Sequence, residues 1–459
     1  MKRATSLCRS GLSVALLAMA ADTAAADSTA TTMAVYAPDA SLIPKYRLWN
    51  GTSWGSPASM PAVTGYPYWM VARNCPTRPE TACVLLDHSL NLHFTVFNGS
   101  TWTTPGLLNA HIGGGMTQRS FDVAYEGAGD LLIAYFTKGI GVDEDADYTK
   151  KGWRYRTFRG TAVSSEQILM LPENKDSRWV RLHPEPASNR ILLLASDTRF
   201  DLHAAVWTGS SFTGAQTIET NLAEKDMECW SGAYESQSRD AVIVYASGSS
   251  STVRFRTVSG TTIGAEQSGP AMGSSRLRWV RTASQPGTDG IMLVTLNFSK
   301  ELHSCYWNGS AWGSPALLAS SLQYNDRANF DVAFQPDGAK CLAIYSANRL
   351  GNIMRRLWSA GSWSAAVSGS DGASPNAVFA LFPTAGAQIF GMVSGTDDDL
   401  MSVVWNGSTL STHVDLDGTI EGAQTAQPFM IVGAAESEGV EPDPPDSRRV
   451  VEWNEVDPR

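Results

Sequence analysis

The sequence predicts an all-β fold, namely an eight-bladed β-propeller of four-stranded antiparallel blades. Three observations support this prediction. One hairpin phrase returns eight times along the 459 residues, an aromatic-led strand opens each repeat, and a last lead strand near the C-terminus has no hairpin after it. Together they predict a ring that is closed by strands from both ends of the chain.

The hairpin phrase combines alternating apolar residues with an Asn-Gly type of turn. Copies read YRLWNGTSW, FTVFNGSTW and SCYWNGSAW. The eight copies are centred on Trp49, Phe97, Phe158, Trp207, Val258, Trp307, Trp358 and Trp405. Asn followed by Gly indicates a two-residue hairpin turn, because both residues tolerate a positive φ.

A second strand type leads each repeat. Its first residues are Trp69, Phe121, Trp179, Trp230, Trp279, Phe330, Val378 and Phe429, at intervals of 48 to 58 residues. Between lead strand and hairpin lies an alternating strand such as DLLIAYF or DAVIVYA. Each repeat therefore holds four short strands, as a propeller blade does.

Ring closure follows from the two ends of this pattern. The first hairpin phrase has no lead strand before it, and the strand around Phe429 has no hairpin after it. We therefore expect the C-terminal strand to complete a blade begun by MAVYAP, KYRLWNG and TSWGSPAS, which protects the sheet edges.

A longer period of about 100 residues is superimposed on the shorter one, since WVRLHPEP and WVRTASQP alternate with RSFDVAYE and NFDVAFQP. It predicts four double blades. The phrases around Trp49 and Phe121 resemble those of a largely uncharacterised family of secreted bacterial repeat proteins. The resemblance covers about residues 31–434. It implies a propeller-like extracellular protein and brings no catalytic residues with it.

Composition excludes several classes of protein. A coiled coil conflicts with 40 Gly and 22 Pro, and disorder conflicts with 43% hydrophobic and 9% aromatic residues. A net charge of −10 argues against a binder of nucleic-acid phosphates.

The two ends lie outside the predicted ring. Residues 1–26 have the basic, apolar and small-residue parts of a secretory signal peptide, although a retained N-terminal anchor is the alternative. We expect export, a secreted or cell-envelope location, and no membrane span after cleavage. Residues 435–459 form an acidic, Pro-containing tail that either stays disordered or docks on the ring or on a partner.

Candidate ligand-binding residues come from two sets. Arg181 and Arg281 lie on lead strands, where they can reach the central channel and bind an anion. Four Trp follow the hairpin turn and are the best candidates for stacking on sugar rings, namely Trp54, Trp102, Trp312 and Trp363.

Other recurrent residues fit structural roles. His93, His203 and His303 are too far apart to share one metal ion, so we expect hydrogen bonds within each blade. Recurrent Arg residues precede the hairpin aromatic, and we expect them to pair with Asp122 and Asp331: Arg47, Arg156, Arg256 and Arg356.

Two local questions stay open on the sequence alone. Cys75 and Cys83 flank a predicted turn and are either a disulfide or two free thiols. Asp143, Asp145 and Asp147 alternate in an inserted loop, which either binds Ca²⁺ or is a solvated acidic loop. The sequence predicts no other cofactor.

The function expected from these features is non-catalytic binding of a surface glycan or protein, in adhesion or as a cell-envelope scaffold. The alternative is an extracellular polysaccharide lyase or hydrolase with its site at a channel mouth. A third interpretation is a purely structural repeat in a larger assembly.

Overall fold

The computed structural model describes residues 32–113, 118–138, 152–172, 175–347, 352–368, 376–384, 388–395, 399–420 and 427–433. The predicted signal peptide (1–26), the acidic tail (435–459) and the loop with Asp143, Asp145 and Asp147 lie outside these residues. Within the described ranges, no helix has the length and apolar character needed to cross a membrane.

The described residues form eight antiparallel sheets arranged as blades in a ring, with no helix among them. The strands of the first four blades, each from the channel outwards, are Phe429–Val432, Met33–Tyr36, Lys45–Leu48 and Ala58–Ser59 (blade 1); Pro67–Asn74, Thr81–Asp87, Leu92–Phe97 and Gly106–Asn109 (blade 2); Phe121–Tyr125, Leu131–Thr137, Gly152–Phe158 and Gln167–Ile168 (blade 3); Ser177–Pro184, Ile191–Asp197, Leu202–Trp207 and Phe212–Glu219 (blade 4).

The other four blades repeat this order, and blades 5 and 7 divide their outermost strand in two. Their strands are Trp230–Tyr234, Ala241–Ala246, Thr252–Ser259, Thr262–Ile263 and Gln267–Ala271 (blade 5); Leu277–Ser284, Ile291–Asn297, Leu302–Trp307 and Ala316–Ala319 (blade 6); Phe330–Phe334, Cys341–Ala347, Asn352–Ser359, Ser362–Trp363 and Val367–Ser368 (blade 7); Asn376–Thr384, Gln388–Gly395, Leu400–Trp405 and Val414–Asp417 (blade 8).

Blade 1 closes the ring as predicted. Phe429–Val432 pairs antiparallel with Met33–Tyr36, so Tyr36 lies opposite Phe429. Because this C-terminal strand is the innermost strand of a blade that the N-terminal strands begin, the two ends of the ring are held in one sheet.

The hairpin turn is longer than predicted. Phe97 and Trp102 face each other across four residues, and the Asn98 side-chain oxygen accepts the backbone N–H groups of Ser100 and Thr101 at 3.0 and 2.9 Å. Gly99 has φ +95°, whereas Asn98 keeps a negative φ. Asn is therefore used for its side-chain acceptor rather than for left-handed backbone.

The inner strands associate in pairs, in agreement with the period of about 100 residues. In blades 3 and 4, Val180 N–H donates to the Arg119 carbonyl at 3.0 Å. Equivalent bonds join Val280 to Glu228 in blades 5 and 6 (2.9 Å) and Met70 to Gln427 in blades 1 and 2 (3.2 Å). Residues two positions before a lead aromatic are thereby placed beside the channel.

The recurrent Arg residues have a structural role, but the predicted pairing with Asp122 and Asp331 is wrong. Arg256 donates to the Tyr245 hydroxyl at 3.2 Å, to the Gly264 carbonyl at 2.9 Å and to the Ile218 carbonyl of blade 4 at 3.0 Å. Arg47 and Arg156 make the same bonds to a buried Tyr and to the preceding blade. Arg356 keeps one of these bonds, to the Ser364 carbonyl at 3.1 Å.

The structure shows the partners of the recurrent His residues and the state of Cys75 and Cys83. His93 Nε2 lies 3.0 Å from Asp87 and His203 Nε2 lies 3.3 Å from Asp197, within one blade each, as expected. His303 departs from the expectation, because its buried Nδ1 has no hydrogen-bond partner among the described residues. Cys75 and Cys83 are buried free thiols. Cys83 lies opposite Ala72 in the ladder, whereas Cys75 follows the end of that strand, so the two do not face each other.

Candidate functional site

Three lead Trp residues meet at one mouth of the channel. The rings of Trp69 and Trp179 are 5.7 Å apart and those of Trp179 and Trp279 are 6.2 Å apart, both edge to face. They come from blades 2, 4 and 6, and Val378 holds the equivalent position in blade 8. Each ring is at least 95% buried, so the three form a rigid wall rather than exposed stacking platforms.

These Trp residues wall a cavity of about 430 Å³. Its charged lining residues are Arg178, Arg181, Arg281, Arg327, Asp226, Glu228 and Asp326. Four Arg against three carboxylates give the lining a formal charge of +1, whereas the whole chain carries −10. The mouth is therefore a cationic site on an acidic protein.

Two guanidinium groups share one buried carboxylate at the base of this cavity. Arg181 forms a bidentate pair with Glu228, and Arg281 Nη2 lies 3.0 Å from Glu228 Oε2. The Glu228 side chain is 2% exposed, whereas those of Arg181 and Arg281 are 19% and 21% exposed. The carboxylate is thus covered and the two Arg face the cavity. We call this group the mouth triad.

The indole rings fix the orientation of both guanidinium groups. The Arg181 Cζ lies 5.7 Å from the Trp179 ring centre, and the Arg281 Cζ lies 5.4 Å from the Trp279 ring centre. Each Arg is therefore held between its own indole and Glu228. Planar guanidinium groups fixed in this way present their remaining N–H donors in a set direction.

Loops before blades 5 and 7 form the rim of the cavity. Arg178 Nε lies 3.6 Å from Asp226, and Arg327 Nε lies 3.2 Å from Asp326. The side chains of Asp226 and Asp326 are about half exposed. The rim therefore offers both hydrogen-bond donors and acceptors to a polar ligand.

The channel continues below the mouth as a second cavity of about 230 Å³ that shares Arg181, Glu228 and Arg281 with the first. Burial lowers the pKa of His183 in its wall to about 4, so this imidazole is neutral at pH 7. Burial raises the pKa of Asp331 to about 6, although Arg281 and two backbone N–H groups oppose that rise.

The predicted site residues divide into two groups in the structure. Arg181 and Arg281 meet at Glu228 in the mouth, as a channel position requires. The four hairpin Trp lie in separate blades and are half-buried: Trp54, Trp102, Trp312 and Trp363. Three of them pack on the aromatic residue before their turn, as Trp102 does on Phe97 at 5.3 Å.

Sequence reasoning missed Glu228, which organises the site. A signal was present in blades 1, 3, 5 and 7. In these alternate blades, the position two residues before the lead aromatic is Gln427, Arg119, Glu228 and Ala328, so it is polar in three of the four. These four positions line the channel together.

One group of side chains in the described part of the chain has metal-ligand geometry. Single ligand atoms of Asp197, Asp201 and His203 lie within 4.8 Å of one another, all in buried residues. Blade 2 has the same turn with Asn91 in place of Asp201, where Asn91 donates to Asp87 at 3.1 Å. Because Asn91 forms the same turn through a hydrogen bond, we interpret the group of Asp197, Asp201 and His203 as a hydrogen-bonded turn rather than a metal site.

Comparison with known proteins supports the fold. No family model and no curated protein matches the sequence. The BP39L lectin from Burkholderia pseudomallei is 12% identical, covers 77% of this chain and 100% of its own, and has a TM-score of 0.55. AztD from Citrobacter koseri, in its apo form, is 11% identical, covers 88% of this chain and 97% of its own, and has a TM-score of 0.51. At these identities the likeness shows the fold alone.

Proposed function

We propose that this protein is a non-catalytic carbohydrate-binding propeller that recognises an acidic saccharide at the channel mouth. The observation that carries the proposal is the mouth triad, in which Arg181 and Arg281 share the buried Glu228. Two guanidinium groups against one carboxylate leave one positive charge directed at the cavity. A sugar carboxylate is planar and matches the donor geometry of a guanidinium group.

The rest of the cavity suits a saccharide. Its volume of about 430 Å³ falls in the range of about 300 to 1,000 Å³ that is typical of small-ligand sites. Asp226 and Asp326 on the rim are oriented by Arg178 and Arg327 and can accept hydrogen bonds from sugar hydroxyl groups. Trp69, Trp179 and Trp279 form a rigid apolar wall on one side of the cavity.

The biological setting belongs to the same proposal. Residues 1–26 have the pattern of a signal peptide, and the hairpin phrases resemble those of secreted bacterial repeat proteins. BP39L, which has a similar fold, is a lectin. A role in adhesion or at the cell envelope follows if the protein is exported and its ligand is a surface glycan.

The test compares two saccharides that differ only at C6, which carries a carboxylate in one and a hydroxymethyl group in the other. Calorimetric titration with a β-1,4-linked mannuronate hexasaccharide should give saturable binding, and β-1,4-linked mannohexaose should bind at least tenfold more weakly. Because the site acts through charge, affinity for the mannuronate should fall as salt is raised. Equal affinity for the two sugars would contradict the proposal.

Incubation of the protein with the same mannuronate hexasaccharide tests the enzymatic alternative. A lyase would break the mannuronate chain and leave an unsaturated uronate that absorbs in the ultraviolet, and a hydrolase would release reducing ends. We expect neither product on prolonged incubation. Steady formation of either product would replace the lectin proposal with the lyase or hydrolase interpretation.

A further inference from the structure

A second pair of Arg residues shares one carboxylate deeper in the channel. Arg119 Nη2 lies 3.1 Å from Asp122 Oδ2, and Arg73 Nη2 lies 3.8 Å from Asp122 Oδ1. The Asp122 side chain is 2% exposed and that of Arg119 is 4% exposed. All three residues line the cavity of about 230 Å³ below the mouth. We call them the channel triad.

Asp122 has little acceptor capacity left for two guanidinium groups. Its Oδ2 accepts the Leu182 N–H and its Oδ1 accepts the Val123 N–H, both at 2.9 Å. Arg119 Nε is buried and has no hydrogen-bond partner among the described residues. Burial and the neighbouring Arg119 charge lower the pKa of Arg73, against the opposing effect of Asp122. The pair thus has an unused buried donor and an excess of positive charge.

The fold itself does not require these two Arg residues. Asp331 holds the equivalent position in blade 7 and accepts the same two backbone N–H groups, from Val332 at 2.9 Å and from Leu381 at 2.7 Å. The positions equivalent to Arg73 and Arg119 are Ala283 and Ala328 there. A carboxylate at this point can therefore join two blades without an Arg at either of these two positions.

We propose that Arg73 and Arg119 form an anion subsite in the channel that binds a tetrahedral oxyanion, such as a sulfate or phosphate monoester. Such a group presents several acceptor oxygens to two guanidinium groups. It would satisfy the unused Arg119 donor and offset the excess charge. The subsite involves residues outside the mouth triad, so it stands independently of the proposed function. If both hold, the ligand is a saccharide with a carboxylate and an ester anion.

The test uses inorganic sulfate as the probe, at constant ionic strength set with chloride. Arg281→Gln serves as the reference background, so that sulfate bound at the mouth triad does not contribute. In that background sulfate should bind and raise the unfolding temperature. Adding Arg73→Gln and Arg119→Gln should weaken sulfate binding at least tenfold. Equal sulfate affinity with and without these two changes would overturn the subsite.

A gain of binding covers the case in which loss of both Arg residues prevents folding. Ala283→Arg together with Ala328→Arg should reproduce the Arg pair beside Asp331. Calorimetry should then show one additional sulfate per chain relative to the Arg281→Gln background. A folded variant with no additional sulfate, in a chain whose background also binds none, would overturn the proposal.

The two proposals fail in different ways. Loss of mannuronate binding in Arg281→Gln with retained sulfate binding supports both sites. If the unmodified protein binds no mannuronate, while Arg281→Gln binds sulfate and loses it on adding Arg73→Gln and Arg119→Gln, the proposed function is overturned and the channel subsite stays intact.

Discussion

Asp122 Oδ2 accepts the backbone N–H of Leu182 at 2.9 Å, across the boundary between blades 3 and 4. Asp331 makes the same bond to Leu381 across the boundary between blades 7 and 8, at 2.7 Å. These two carboxylates differ in their surroundings, since Asp122 has two Arg neighbours and Asp331 has Ala in both places. A comparison of variants at Asp122 and Asp331 can therefore separate the stability that comes from joining two blades from the stability that depends on the neighbouring Arg residues.

We predict that Asp122→Ala destabilises the protein more than Asp331→Ala. Removing Asp122 leaves Arg73 and Arg119 without their carboxylate and should cost about 3 to 5 kcal/mol. Removing Asp331 leaves two backbone N–H groups without an acceptor and should cost about 1 to 3 kcal/mol. Urea unfolding followed by Trp fluorescence measures both losses, with exposed Asp39→Ala as the control. Equal losses for the two carboxylates would contradict this account.

The raised pKa of Asp331, about 6, predicts a pH-dependent stability. The unfolded carboxyl titrates near 3.9, so between about pH 4 and pH 6 the folded chain binds more protons than the unfolded chain. This residue's contribution to stability therefore falls as pH rises through that window. Asp331→Asn should be more destabilising at pH 4.5 than at pH 7.5.

Urea unfolding at the two pH values provides the measurement for Asp331. Asp39→Asn, at an exposed position, should change stability equally at both. If the cost of Asp331→Asn were the same at pH 4.5 and pH 7.5, Asp331 would not titrate within this window.

We predict that Arg256→Ala costs more stability than Arg356→Ala, although the two residues are repeat equivalents. Within the described part of the chain, Arg256 donates three hydrogen bonds, one of which joins blade 5 to blade 4, whereas Arg356 donates one. At about 1 kcal/mol for each bond, the losses should be about 3 and 1 kcal/mol. Thermal unfolding of the two variants measures the difference. A larger loss for Arg356→Ala would show that this contact pattern does not determine blade docking.

The fold could be predicted from the sequence because the same sequence pattern recurs from blade to blade. The hairpin phrase, the lead aromatic and the unpaired strand around Phe429 indicated the number of blades and the closing pair. The predicted turn was too short. The sequence pattern assumes a positive φ at Asn98, whereas in the structure the Asn98 side chain accepts hydrogen bonds from two backbone N–H groups of a longer turn. A repeat therefore predicts topology better than it predicts local geometry.

The candidate site could be predicted from the sequence only in part. Arg181 and Arg281 follow from their place on lead strands, but Glu228 joins them from a different blade, and only the packing of blades 4, 5 and 6 brings the three together. The partners of Arg256 were missed for the same reason, since Ile218 belongs to the neighbouring blade. Contacts within a blade follow from spacing along the chain, whereas contacts between blades depend on how the sheets stack.

The affinity of the mannuronate hexasaccharide for Arg281→Gln tests the central claim most directly. Glu228 keeps its bidentate pair with Arg181 in this variant, so the fold should be retained. Arg254→Gln is the matched control, because Arg254 lies 3.8 Å from Glu266 on an outer part of blade 5 and has no place in the mouth. We expect affinity to fall at least tenfold in Arg281→Gln and to stay unchanged in Arg254→Gln. Equal mannuronate affinity in both folded variants would contradict a saccharide site built on the mouth triad.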